Sequence, residues 1–141
     1  MKEYRIYTCG KMSGISYEEQ MVWRRTIEDF VRQRTDKCVT FIHPPMYYSY
    51  EEVFHKSERE IQEWEITALN KCDIVIVNLP YIESSIGSHM ELGAAYVNKN
   101  IHVIGVGKPT SPLHPWIENT CLRIEEDYEK AAEYIVDYLL I

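Results

Sequence analysis

The chain has 141 residues, 45% hydrophobic and 26% charged, with a formal net charge of −7. That length suits one domain, residues 1–141, with a real buried core, and the acidic balance speaks against a nucleic-acid polymer as the main partner, since such proteins carry a basic face. No apolar run approaches the roughly 20 residues that span a bilayer, and the opening MKEYRIYTCG reads as a charged start to a strand rather than a signal peptide; the expected setting is cytoplasmic, with no membrane partner.

In chain order, YRIYTC (Tyr4 to Cys9) reads as a first strand, followed by the turn GKMSGIS with Gly10 and Gly14. Ser16 offers an N-cap and Glu19 a capping box, and Trp23, Ile27, Phe30 and Val31 recur at helical spacing, so the first helix runs to about Arg34. CVTFIH is a second strand, stopped by Pro44 and Pro45. The aromatic stretch PPMYYSYEEVFHKS has no clear period and reads as a long loop or broken helix. A second helix over roughly Ser57 to Asn70 places Ile61, Trp64, Ala68 and Leu69 on one face.

DIVIVNLP is a third strand, and its uninterrupted apolar run suits a parallel strand covered on both sides. A third helix opens near Gly87 and ends near Asn98, and IHVIGVG is a fourth strand. The stretch from Lys108 to Asn119, with prolines at 109, 112 and 115, reads as a loop; CLRI is a short fifth strand. The last helix begins near Asp127 and packs through Ala131, Ile135, Tyr138 and Leu139. Strands alternating with helices predict an α/β three-layer sandwich on a five-stranded parallel sheet, with the ligand crevice beyond the carboxyl ends of the strands. That rule gathers CGKMSG, IHPP and NLPYIESSIGS at one edge.

Two carboxylates stand out there. Glu91 sits among Met90, Leu92, Gly93 and Ala94 near the start of the third helix, where the helix dipole is expected to keep it ionised as a nucleophile, base or cap. Glu65 lies on or beside the apolar stripe of the second helix, where burial raises a carboxyl's pKa. A pair with opposite tendencies suits glycosidic cleavage, one group attacking the anomeric carbon and the other handling the leaving group's proton. Cys9, Cys38, Cys72 and Cys121 are widely spaced and read as reduced packing residues. His89-Met-Glu91 matches the start of a zinc-deaminase signature, but no Pro-Cys-x-x-Cys follows. GKMSGIS is neither a dinucleotide fingerprint nor a Walker loop. Nothing in the sequence calls for a metal or organic cofactor.

IYTCGKMSG, CDIVIVNLP and SSIGSHMELGAA, in that order, resemble the nucleoside 2-deoxyribosyltransferase superfamily, which includes nucleoside 5′-monophosphate N-glycosidases. The most specific element is Glu-Leu-Gly after a Ser-x-Gly turn, 18 residues beyond Asp73. The resemblance implies a flavodoxin-like fold and a covalent mechanism: Glu91 as nucleophile, Tyr7 beside it, and Gly10, Ser13 and Gly14 holding the ligand. His43 matches a histidine of the monophosphate branch. Glu65 replaces an aspartate of leaving-group chemistry; Asp73 is expected to be structural. Transferases acting on free nucleosides place an aspartate where this chain has Ser85, and the serine, with the amides of Gly87 and Ser88, would accept a phosphate. Ser111 matches a serine lent to a neighbouring subunit's phosphate site, which implies a homodimer or higher oligomer. The implied substrate is a nucleoside 5′-monophosphate or a nucleoside. A nucleotide sensor without turnover and a partner-docking crevice are the rival readings.

Overall fold

The computed structural model describes residues 1–47 and 55–141. Five strands, β1 (Glu3–Cys9), β2 (Cys38–Ile42), β3 (Ile74–Asn78), β4 (His102–Val106) and β5 (Arg123–Glu125), form one sheet in the order β2-β1-β3-β4-β5. Every pair is parallel, with Cys9 opposite Val77 and Asn78 opposite Val106. Parallel neighbours need crossovers, and helices α1 (Tyr17–Arg34), α2 (Glu58–Asn70), α3 (Ile86–Val97) and α4 (Pro115–Thr120) supply them, while α5 (Tyr128–Tyr134) follows the last strand. The order reverses between β1 and β3, which makes their carboxyl ends the switch point where such sheets bind ligands.

Side-chain alternation along β1 divides the core in two. Tyr4 and Ile6 join Ile27 and Val31 of α1 and Ala131 and Ile135 on the face that α1 and α5 cover. Tyr7 and Cys9 join Val75, Val77, Leu69 of α2 and Leu92 of α3 on the other. β3 lies at the centre, and Val75, Ile76 and Val77 are wholly buried, as its unbroken apolar run predicts. Full burial of such side chains stabilises by about 1.5–3 kcal/mol each.

Helix starts follow local chemistry. Ser16 caps α1 by accepting the amide of Glu19, and Ser57 with Glu60 forms a reciprocal capping box at α2. The expected loop over 108–119 instead contains α4: Pro115 occupies its first turn, where the missing amide needs no partner, and His114 Nδ1 accepts the amide of Trp116 at 3.1 Å. Tyr138, expected in the core, lies outside it, because after α5 the chain widens into a π-turn over Ile135–Leu139 that rotates Tyr138 to 63% exposure. In the aromatic stretch after β2, residues Pro44–Tyr47 form a 3₁₀ turn, and the middle of that predicted loop lies outside the described residues. Asp73 is structural: its Oδ2 accepts the Arg5 amide at 2.9 Å, closing the lower end of β1 on β3.

Candidate active site

Tyr7 and Cys9 are two apart on β1 and so project to the same face of the sheet, toward α3. Glu91, on the second turn of α3, meets both. The Tyr7 hydroxyl donates to Glu91 Oε2, and Cys9 Sγ lies 3.7 Å from Oε1 and 3.9 Å from the carbonyl of Ser88. Tyr7 and Cys9 are essentially inaccessible and Glu91 is 7% exposed. The sequence thus places Tyr7 and Glu91 correctly as neighbours, and β1 adds a thiol that had been assigned to packing.

The expected ionisation of Glu91 is corrected. Helix-terminus stabilisation falls off within the first turn, and Glu91 is the sixth residue of α3. Burial is the largest influence and the charge of Glu65 the next; together they push its carboxyl up to about 8, against the Tyr7 hydrogen bond and the positive charge of Arg24. Burial, followed by the charges of Glu91 and Glu65, also drives the Tyr7 phenol far above its usual range. Tyr7 therefore remains a donor at any ordinary pH.

Glu65 is half-buried on α2, and its charge is felt by Glu91, Tyr7 and Cys9. This puts the two carboxylates in one electrostatic unit. Like charges held close in a poorly solvated site cannot both ionise readily, so such a pair tends to carry one proton between them. Next to Glu65 in α2, Trp64 packs on Tyr47 with ring centroids 4.6 Å apart.

The glycine turn after β1 is built for close approach. A Cβ on Gly10 would lie 2.9 Å from Trp23 Cζ2 and 3.3 Å from Asn78 Cβ, while Gly14 has φ +74°, in the left-handed region. Gln20 of α1 holds this turn from below: its Nε2 donates to the carbonyls of Met12 at 2.9 Å and Ile15 at 2.7 Å. Ser13 is exposed at the tip, and Lys11 Nζ donates to Ser84 Oγ at 2.7 Å, linking this turn to the one before α3.

At the start of α3, Ser85 is the N-cap. Its Oγ accepts the Ser88 amide at 3.3 Å and lies 2.7 Å from Ser88 Oγ. The amides of Ile86 and Gly87, in the first turn, have no carbonyl one turn back to donate to. Gly87 is exposed, whereas Ser88 is buried. Ser111 stands on the β4–α4 connection, near the exposed Glu83 carboxylate of its own chain, which it helps hold below the usual range and to which Thr110 Oγ1 donates at 3.1 Å.

His43 directly follows β2 and is 3% exposed, with Nδ1 2.8 Å from Thr8 Oγ1 and Nε2 2.6 Å from Glu28 Oε1. Both ring nitrogens are taken by protein groups, so any effect of His43 on a ligand passes through Thr8 or Glu28. Sequence reading missed the partner of this cluster, Arg24, which is fully buried. A signal was present: Gln20, Arg24, Ile27 and Val31 recur at i, i+4, i+7 and i+11, which sets Arg24 on the buried stripe of α1.

No group of His, Cys, Asp and Glu among the described residues has the arrangement of a metal site, and no helix among them is long and apolar enough to cross a membrane. The site is instead a buried and a half-buried carboxyl acting on each other, with two donors on the buried one.

Residues 3–110 match the family model described as "Nucleoside 2-deoxyribosyltransferase like". Solved structures similar to this chain include a 2-deoxyribosyltransferase from Bacillus psychrosaccharolyticus, with TM-score 0.73 and 18% identity over 96% of this chain and 94% of that one. A CMP N-glycosidase, BcmB, from Clostridium botulinum matches with TM-score 0.57 and 15% identity over 95% and 99% of the two chains. A 2-deoxyribosyltransferase from Leishmania mexicana matches with TM-score 0.54 and 16% identity over 96% and 99%. No curated protein matches the sequence.

Proposed function

Because the chain belongs to the nucleoside 2-deoxyribosyltransferase-like family of enzymes, we propose that it cleaves the N-glycosidic bond of a (deoxy)nucleoside 5′-monophosphate through a covalent glycosyl–Glu91 intermediate. The observation that carries this reading is the buried Glu91 carboxylate with a phenol on one oxygen, a thiol by the other and a second carboxylate nearby.

In the reactive form Glu91 is the anion and Glu65 holds the shared proton. A Glu91 oxygen attacks C1′ as the C1′–N bond breaks, the bonding pair leaves with the base, and Glu65 gives that base its proton. The Tyr7 hydroxyl orients the attacking carboxylate. In the second half a water molecule attacks C1′, its proton returns to Glu65, and Glu91 is released with the free sugar phosphate. If a second base attacks instead, the product is an exchanged nucleotide. The chain shares its fold with both a deoxyribosyltransferase and an N-glycosidase, so the fold accommodates either acceptor.

Ser85 supports a monophosphate over a free nucleoside. A carboxylate at that position would repel a phosphate, whereas a serine hydroxyl and the open amides of α3 attract one. The phosphate would lie where Ser85, Gly87 and Ser88 begin the helix, with the turn of Gly10, Ser13 and Gly14 across from it. Ser111 completes that site from a second subunit, so the working unit is at least a homodimer. Glu65, longer than the aspartate of related enzymes, sets how far the proton donor reaches toward the base.

The test is incubation with a panel of nucleoside 5′-monophosphates and the matching nucleosides, ribo and deoxy, followed by chromatography for free base. Base released from a monophosphate is the expected result. Nucleotide binding, seen as a rise in Tm, without any base release would replace the enzyme reading with a sensing module.

A further inference from the structure

Arg24 has no part in the chemistry written above, yet it is fully buried one strand residue away from that chemistry. Its Nε donates to Thr8 Oγ1 at 3.0 Å, Nη2 reaches the Thr8 carbonyl at 3.5 Å, and Nη1 donates to the carbonyl of Gln20 at 2.6 Å. Its guanidinium also lies over the Trp23 ring, 4.6 Å from the centroid. Among the described residues no carboxylate forms an ion pair with it. Burying a guanidinium in this way costs several kcal/mol unless charge elsewhere compensates it.

A hydrogen-bonded chain runs through this region. Thr8 Oγ1 accepts from Arg24, and its own proton has two acceptors in reach, His43 Nδ1 at 2.8 Å and the Ile42 carbonyl at 3.3 Å. His43 Nε2 then donates to Glu28, whose other oxygen accepts from Arg32 Nε at 2.7 Å. Burial keeps His43 below its usual pKa against the pull of Glu28, which agrees with a neutral ring in that tautomer. Burial raises Glu28, but the hydrogen bonds from His43 and Arg32 outweigh it and hold that carboxyl low. The chain leaves Arg24 as the cation facing the strand.

Thr8 lies between Tyr7 and Cys9, the two residues that grip Glu91. We propose that Arg24 is a positioning residue for the reaction at Glu91: from the opposite face of the sheet it clamps Thr8, which fixes Tyr7 and Cys9 against the carboxylate, and it backs that carboxylate with a permanent positive charge. The mechanistic part rests on the reading of Glu91 as nucleophile; the electrostatic part stands without it. The groups that act on Glu91 are Tyr7 and Cys9 from β1, Arg24 from α1 and Glu65 from α2. The largest acidic influences on Arg24 in return are Cys9, Glu91, Tyr7 and Glu65, which include both carboxylates of the site. Burial lowers Arg24 to about 10, which leaves it protonated at neutral pH.

The experiment is a titration by NMR of the Glu91 side-chain carboxyl, assigned with E91Q, in the wild type, R24K and R24M. Loss of the charge in R24M is expected to raise the Glu91 midpoint by about half a pH unit or more, while R24K stays near wild type. With the nucleotide that yields base in the panel above, R24M should lose at least roughly tenfold in kcat, with its acid limb displaced to higher pH. R24K should recover the limb but not the whole of kcat, since a lysine cannot hold Thr8 and Gln20 together. A folded R24M with an unmoved Glu91 midpoint overturns the proposal. If R24M does not fold, the wild-type Arg24 Nε–H resonance decides: it should shift with the Glu91 midpoint and lose that step in E91Q, and a flat signal overturns the proposal. If no nucleotide yields base, the mechanism fails while the titration still judges Arg24.

Discussion

Glu91 sits between influences of opposite sign. Burial and Glu65 favour its neutral form, and Tyr7 and Arg24 favour its anion. The net value of about 8 lies above the ordinary carboxyl value of 4.5, so the native state keeps a proton that the unfolded chain releases. The stability tied to that proton is complete below about 4.5 and lost as pH rises through about 8. A rise from 4.5 to about 8 corresponds to at most about 5 kcal/mol, or on the order of 10–20 °C in Tm for a domain of this length. E91Q, neutral at every pH, is expected to melt with the wild type at pH 5 and several degrees above it at pH 8.5. Parallel melting curves at both pH values would show that Glu91 is ionised in the folded protein. The same variant, like E91A, should lose base release by orders of magnitude, because neither side chain can form the glycosyl ester. E65Q should move the acid limb of kcat/KM to lower pH, since it removes the charge that raises Glu91, while lowering kcat through loss of the proton donor.

Ser85 offers a cleaner separation of roles. It caps α3, and aspartate caps a helix about as well as serine. Ser85→Asp should therefore leave the fold and Tm nearly unchanged while setting a negative charge against the phosphate. Charge-assisted hydrogen bonds contribute about 1.5–3 kcal/mol each. The ratio of kcat/KM for the monophosphate to that for the nucleoside should accordingly fall by more than about tenfold. An equal ratio in the two proteins would remove Ser85 from the phosphate site.

Among the elements, β1 and α1 carry most of the site, and their junction is tight. Gly10 closes β1 against the Trp23 ring, and Trp23 in turn supports the Arg24 guanidinium. Gly10→Ala has to displace a half-buried indole and is expected to cost about 1–3 kcal/mol. Trp23→Leu alone should also destabilise, through lost packing. The double variant should be more stable than the sum of the two, because the alanine then meets a flexible, smaller side chain. Additive Tm losses in this cycle would place the strain of Gly10→Ala elsewhere.

Much of this level was legible in the sequence. Strands β1 and β3 followed from apolar runs, α1 from a serine cap and periodic apolar residues, α2 from periodicity alone, and Glu91 and Glu65 stood out as carboxylates on apolar helices. What sequence did not show were effects of the third dimension. Arg24 reads as one of two successive arginines, and its burial depends on Thr8 and Gln20 reaching it. Cys9 reads as packing until α3 brings Glu91 to it. The helix dipole overstated the ionisation of Glu91 because depth in the fold, not distance along the helix, dominates its carboxyl.

For the molecule as a whole, the face made by α3 and α4 stays unusually apolar. Ile86, Tyr96, Val97 and Trp116 are 78%, 57%, 72% and 81% exposed, and a groove of about 860 Å³ runs between Leu92 and Tyr96 on one side and Leu113 and Ile117 on the other. Apolar surface of this extent is better matched to a second subunit than to water, and Ser111 lies on the same stretch of chain. Ser111 also acts on Glu83 of its own chain, whose carboxyl it helps hold low, so a loss of activity in Ser111→Ala does not by itself reveal a shared site. Mixing does. If Ser111 serves the neighbouring subunit, a heterodimer of E91A and Ser111→Ala has one site with both groups missing and one with both intact. After subunit exchange half the dimers are mixed, so about a quarter of all sites should regain activity although both parents are inactive. If Ser111 serves its own subunit, every site in the mixture lacks one group and activity stays at the level of the parents. Sedimentation at the assay concentration gives the companion measurement: a dimer or larger species is expected, and a fully active monomer would exclude a site completed from outside the chain.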